Sequence, residues 1–109
     1  MAGTALAAGI LTVAATLSLG LAAVGGAAVT AQRASGAADA AALAAADAAS
    51  GAVPTGEHPC VLAARVAAAS GATLSACTLD GTRATVEVRA AYAGLVAVSR
   101  ARAGQPDGS

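Results

Sequence analysis

From Met1 to Gln32 the chain carries no charged side chain, and the first charge is Arg33. Within that run, Leu6, Ile10, Leu11, Val13, Leu17, Leu19, Leu21, Val24 and Val29 supply the bulk. A helix rises about 1.5 Å per residue, so about 20 apolar residues cover a hydrocarbon core of roughly 30 Å. Thr4 to Val29 exceeds that length. The run predicts a transmembrane helix over residues 1–31. Any function must then suit one anchor joined to a small extramembrane part.

The same run also has features of a cleaved leader. Val29-Thr30-Ala31 before Gln32 matches a small-residue cleavage pattern. A basic segment at the start is missing, however, and the apolar stretch is longer than the 7–15 residues usual for a secretory leader. A retained anchor is the favoured reading. A secreted, signal-cleaved, disulfide-bonded mini-protein that binds a partner is the alternative.

The remaining composition limits the folded part. Of the 109 residues, 57% are hydrophobic, but alanine dominates and Tyr92 is the only aromatic residue. Small side chains bury little area each, so no large core is available. Six basic residues balance six acidic ones. No basic stripe interleaved with aromatics occurs, so no nucleic-acid partner is expected. Catalytic constellations are missing too. His58 is the lone histidine, no serine sits in a nucleophile-elbow context, and no phosphate-binding glycine loop occurs. The sequence therefore predicts no enzyme, no cofactor, no metal site and no small-molecule substrate.

Beyond the anchor, Ala31 to Ala49 (AQRASGAADAAALAAADAA) has high helix propensity. It is expected to extend the helix over residues 32–50, with local weakening at Gly36 and at Gly25-Gly26. Asp39 and Asp47 stand about 12 Å apart along such a helix and share one broad polar side, a solvated face rather than a carboxylate pair. Residues 51–58, rich in Gly, Pro and small polar residues, read as a linker that lets the outer part reorient.

A small domain is expected over residues 59–103. Pro59 suits the first turn of a helix, and Gly71 suits its end. Thr73 to Leu79 and Thr82 to Tyr92 read as a hairpin turning at Asp80-Gly81. That turn would pair Leu79 with Thr82, Cys77 with Ala84, Ser75 with Val86 and Thr73 with Val88. Alternation then places Cys77, Leu79, Ala84, Val86 and Val88 on the face that receives the helix. Leu95 to Ala103 alternates again as a third strand, and residues 104–109 form a disordered tail.

Cys60 and Cys77 are the only cysteines. An even count beside an anchor favours a disulfide on the oxidising side over two free thiols. The hairpin independently points Cys77 at the helix carrying Cys60. The fold class is thus α+β: a long N-terminal helix, then a helix, hairpin and strand closed by one disulfide. The cysteines also orient the molecule, as a single-pass membrane protein with its C-terminal domain on the extracytoplasmic side. Within the anchor, Ala14, Ser18, Ala22 and Gly26 recur every fourth residue. That small-residue stripe is a candidate for helix packing in lipid.

A charge-free helix running into RASGAADAAALAAADAASG, then PCVLAARVAAASGATLSACTLDGTRATVEVRA and a closing SRARAG, resembles the TadE-like proteins of tight-adherence (Flp-type) pilus assembly. It is most similar to the short, Ala-rich actinobacterial branch found beside helicase and secretion genes. The resemblance implies a pseudopilin-like component of a tight-adherence pilus or related secretion system. It also implies that the chain meets the lipid bilayer, other pilin-like subunits and inner-membrane assembly proteins. The chain departs from pilins in one respect: Gly3-Thr4-Ala5-Leu6-Ala7-Ala8 contains no glutamate near the start of the apolar helix.

Overall fold

The computed structural model describes residues 2–105, without the side chains of residues 2 and 19–24. Its elements are α1 (Ala2–Ser50), α2 (Pro59–Ala69), β1 (Thr73–Asp80), β2 (Arg83–Tyr92) and β3 (Leu95–Ala103). The three strands form one antiparallel sheet in the order β1-β2-β3.

The 49 residues of α1 contain no proline, and its alanines and leucines are strong helix formers. The helix runs unbroken through Gly25, Gly26 and Gly36. Its length of about 73 Å nearly equals the 75 Å long dimension of the molecule. It ends at Gly51, whose φ of 80° is the left-handed conformation that closes helices. Among the described residues no helix is long and apolar enough to cross a membrane. Of the expected span over 1–31, Met1 and the side chains of residues 2 and 19–24 lie outside the described residues.

Residues 51–58 form no helix or strand. Pro59 opens α2, and His58 precedes it as the N-cap. At the other end, Gly71 N–H donates to Ala68 O and Ala72 N–H to Ala67 O, both at 3.0 Å. That pair of bonds, with Gly71 at φ 76°, is the Schellman closure anticipated from Gly71. Arg33 of α1 lies beside Gly71 at the end of α2, so the two helices run antiparallel.

The register of the hairpin differs from the expected one by two residues. Asp80 faces Arg83, Leu79 faces Ala84 and Cys77 faces Val86. The turn is therefore Gly81-Thr82, with Gly81 at φ 62°. A slip of two preserves the side-chain period, so Cys77, Leu79, Ala84, Val86 and Val88 still share the inner face. A bulge at Ser75 then shifts the phase of β1. Leu74 turns inward opposite Val88, and Ser75 turns outward. A second two-residue turn, Ala93-Gly94, joins β2 to β3. Both residues have positive φ, 49° and 80°.

The core is built mainly by α1. Ala34, Ala37, Ala38, Ala41, Ala42, Ala45 and Ala46 are all buried against α2 and the sheet. Ala63 and Ala67 of α2, Ala72 before β1, and Ala84, Val86, Val88 and Ala90 of β2 complete it. The expectation gave the inner sheet face to the helix after Pro59. Instead α1 covers β2 and β3, and α2 lies over β1. Residues 32–50 thus belong to the folded head, and the linker 51–58 connects two parts of one core. The reason is steric. An alanine face lets helix and sheet approach closely, and dispersion contacts accumulate over a long, narrow interface.

Candidate functional site

Three regions carry what this molecule could use: the free half of α1, the disulfide, and the outer face of the sheet.

The free half of α1 projects from the head. Among the described residues, Gly26 meets Tyr92, whose ring fills the space a Cβ on Gly26 would need. The helix continues for about 36 Å on the N-terminal side of that contact. Leu6, Ile10, Leu11, Val13 and Leu17 are between 59% and 70% exposed, large values for apolar side chains. Thr12 and Thr16 donate their hydroxyls to the carbonyls of Ala8 and Thr12 at 2.9 Å. Thr30 does the same to Gly26. Each of these hydroxyl donors is thus used within the helix.

The expected packing stripe is split by this arrangement. Ala14 and Ser18 lie exposed on the projecting half. Ala14 lines a shallow apolar groove with Leu6, Gly9, Ile10, Val13 and Leu17. The side chain of Ala22 lies outside the described residues. Gly26 is taken by Tyr92 within the same chain. A packing role for Gly26 thus has an intramolecular partner that spacing alone does not reveal. The only hint in the sequence is that the sole aromatic residue ends a strand.

Cys60 and Cys77 form the expected disulfide, with Cα atoms 5.9 Å apart and a sequence separation of 17. It fastens the first turn of α2 to the middle of β1, the strand farthest from α1. His58 stands just before it. The backbone N–H of Cys60 donates to His58 Nδ1 at 3.1 Å, so the lone histidine caps α2. Glu57 pairs with Arg65 one turn further along α2. Among the described residues no group of three or more His, Cys, Asp or Glu comes together. Asp39 is exposed and Asp47 half-buried, on the flank of α1 away from its alanine face.

The outer sheet face centres on Glu87. Its carboxylate accepts from Arg100 Nε at 2.7 Å and from Ser75 Oγ at 3.0 Å, and Arg89 stands 3.9 Å away. The Arg100 hydrogen bond, then the Ser75 bond, holds the Glu87 carboxyl below its ordinary value. Arg102 Nε reaches Thr85 Oγ1 at 3.3 Å. Alternation along β3 alone does not reveal Glu87 as the centre of this face. Only the β2–β3 register, with Glu87 opposite Arg100, brings them together. The group is internally satisfied and serves to fix that register.

No protein-family model, curated protein or solved structure matches this chain.

Proposed function

We propose that the chain is a membrane-anchored, pseudopilin-like component of a tight-adherence pilus or related secretion system. Residues 1–31 form the single anchor, and the disulfide-closed head faces the extracytoplasmic side. The protein acts by helix packing and by docking of its head, without catalysis. Its partners are the lipid bilayer, other pilin-like subunits and inner-membrane assembly proteins.

The observation that carries this reading is the shape of α1. One half is buried under an antiparallel sheet, and the other projects with bulky apolar side chains uncovered. In water those side chains would drive association, so a lipid or helical environment must receive them. The continuity of α1 also speaks against the secreted alternative. Cleavage after Ala31 would cut the helix within the head, removing Gly26 from Tyr92 and the buried Thr30 from its place.

Fractionation with mass analysis tests this. The expected result is the chain in the membrane fraction after an alkaline wash, with residues 1–31 still attached. A soluble product beginning at Gln32 would replace this reading with the secreted mini-protein. A membrane-bound chain that co-purifies with no pilus or secretion component would reject the assembly role but keep the anchor.

A further inference from the structure

The free tip of the β2–β3 hairpin lies level with the end of the charge-free part of α1. Tyr92, the last residue of β2, touches α1 at Gly26. The opposite end of the sheet sits near the other end of α1, where Thr82 and Gly104 line a cleft with Asp47 and Ser50. The strands thus run along the helix, and the Ala93-Gly94 turn points toward its N-terminal half.

Two separate segments meet there, and neither carries a charge: residues 1–32 and residues 90–99. On the hairpin, Leu95 is 65%, Val96 58% and Val98 52% exposed, while Val29 of α1 is 57% exposed. Leu95 lies opposite Tyr92, whereas Val96 and Val98 belong to the other sheet face, so the tip is apolar on both sides. The nearest charges on the two segments are Arg33 and Arg89, both exposed. Each stands about 10 Å from the Gly26–Tyr92 contact, measured along its own element. The boundary between charged and uncharged residues therefore falls at one level on two elements remote in sequence.

Tyrosine, with an apolar ring and a polar tip, is enriched at the level of lipid headgroups. Arginine at that level pairs with phosphate while its stem lies along apolar surface. We propose that the hairpin tip, Tyr92 to Val98, is a second membrane contact. It dips into the headgroup–acyl boundary beside the anchor, with Arg33 and Arg89 at the phosphates. This rests on the anchor reading above. The head is then held against the bilayer at two points and has a fixed tilt.

The chain contains no tryptophan, so single tryptophans report without background. The full chain is placed in phosphatidylethanolamine–phosphatidylglycerol vesicles containing lipids brominated at known depths. Three variants are compared: Leu95→Trp at the tip, Leu11→Trp in the projecting helix and Val61→Trp on α2. The proposal expects Leu95→Trp to lose emission most to bromines near the headgroup and Leu11→Trp to deeper ones. Val61→Trp should respond only to an aqueous quencher. The unsubstituted protein repeats the tip measurement through Tyr92, its sole aromatic residue, should Leu95→Trp disturb folding. If Leu11→Trp is quenched by lipid while Leu95→Trp and Tyr92 are not, the anchor stands and the tip contact is overturned. If Leu11→Trp is untouched by lipid, the anchor itself fails and the tip contact falls with it.

Discussion

The hydroxyl of Ser75 meets Glu87 at two oxygens, its main-chain carbonyl at 3.1 Å and its carboxylate at 3.0 Å. Ser75 is the extra residue of the β1 bulge, so the irregularity that turns Leu74 inward also supplies Glu87 with a donor. With Arg100 on the other side, Glu87 ties β1 to β2 and β2 to β3. Its carboxyl is held below its ordinary value of 4.5. A group depressed in the folded state contributes stability that is fully present above the unfolded value and lost as pH falls through the folded one. The acid limb of unfolding below about pH 4.5 should therefore flatten in Glu87→Gln, measured as melting temperature against pH. Parallel curves for the two proteins would remove Glu87 from the acid response.

Removing the disulfide should be the most damaging small change to the head. Closing a loop of 17 residues contributes about 3 kcal/mol in the chain-entropy estimate. An alanine-built core offers little in reserve. Cys77→Ala should make the hairpin protease-sensitive while leaving the projecting half of α1 helical. Limited proteolysis with circular dichroism reads both effects, and a head as resistant as the parent would show that the alanine core stands alone.

Ala93 has φ 49° at the first position of the β2–β3 turn, a conformation that disfavours any Cβ. Ala93→Gly should stabilise the head by about 0.5–1 kcal/mol. Gly81→Ala, at φ 62° in the other turn, should destabilise it by about 1 kcal/mol. Thermal denaturation of the pair must move in opposite directions for this account of the turns to hold.

Tyr92 and Gly26 should be energetically coupled. Alanine normally stabilises a helix by about 1 kcal/mol over glycine. In the parent protein Gly26→Ala displaces the Tyr92 ring and forfeits much of that gain. In a Tyr92→Ala background the same change should recover it in full. A double-mutant cycle measures the difference, and strict additivity would mean that the ring yields freely.

On α1, Ala41 is fully buried and Ala40 is exposed. Ala41→Leu should destabilise the head by about 1–3 kcal/mol through overpacking, whereas Ala40→Leu should change stability by less than about 0.5 kcal/mol. Chemical denaturation of the two neighbours tests the assigned face directly.

Much of the head was readable because its signals are local. Pro59 and Gly71 mark the ends of α2 by backbone geometry, and Val86 and Val88 alternate with Glu87 and Arg89 as a half-buried strand must. The cysteine pair followed from face and parity. The role of residues 32–50 was not readable, for a physical reason. Ala34, Ala38 and Ala42 face the core, while Ala40 and the bulkier Leu43 face outward, so the apolar residues do not mark the buried side. The Ser75 bulge and the Gly81-Thr82 turn depend on pairing across strands, which a single strand does not encode. Ala93 gives no sign of its positive φ because another residue type would suit that place better.

The alanine face of α1 has no teeth. A shift by one turn would carry Ala34, Ala38 and Ala42 onto the places of Ala38, Ala42 and Ala46, and Ala37 and Ala41 onto those of Ala41 and Ala45. Those alanines do not resist that slide, but it would also bring Arg33 and Thr30 onto the buried places of Ala37 and Ala34. The notch at Gly26 adds a second constraint, because one turn away the ring of Tyr92 would meet Ala22 or Thr30, each bearing a Cβ. The missing side chain at Gly26 and the charge of Arg33 thus work together as index pins for how far the rod protrudes from the head. Moving the glycine four residues along, by Gly26→Ala with Thr30→Gly, would favour the slide in the other sense and lengthen that reach by about 6 Å.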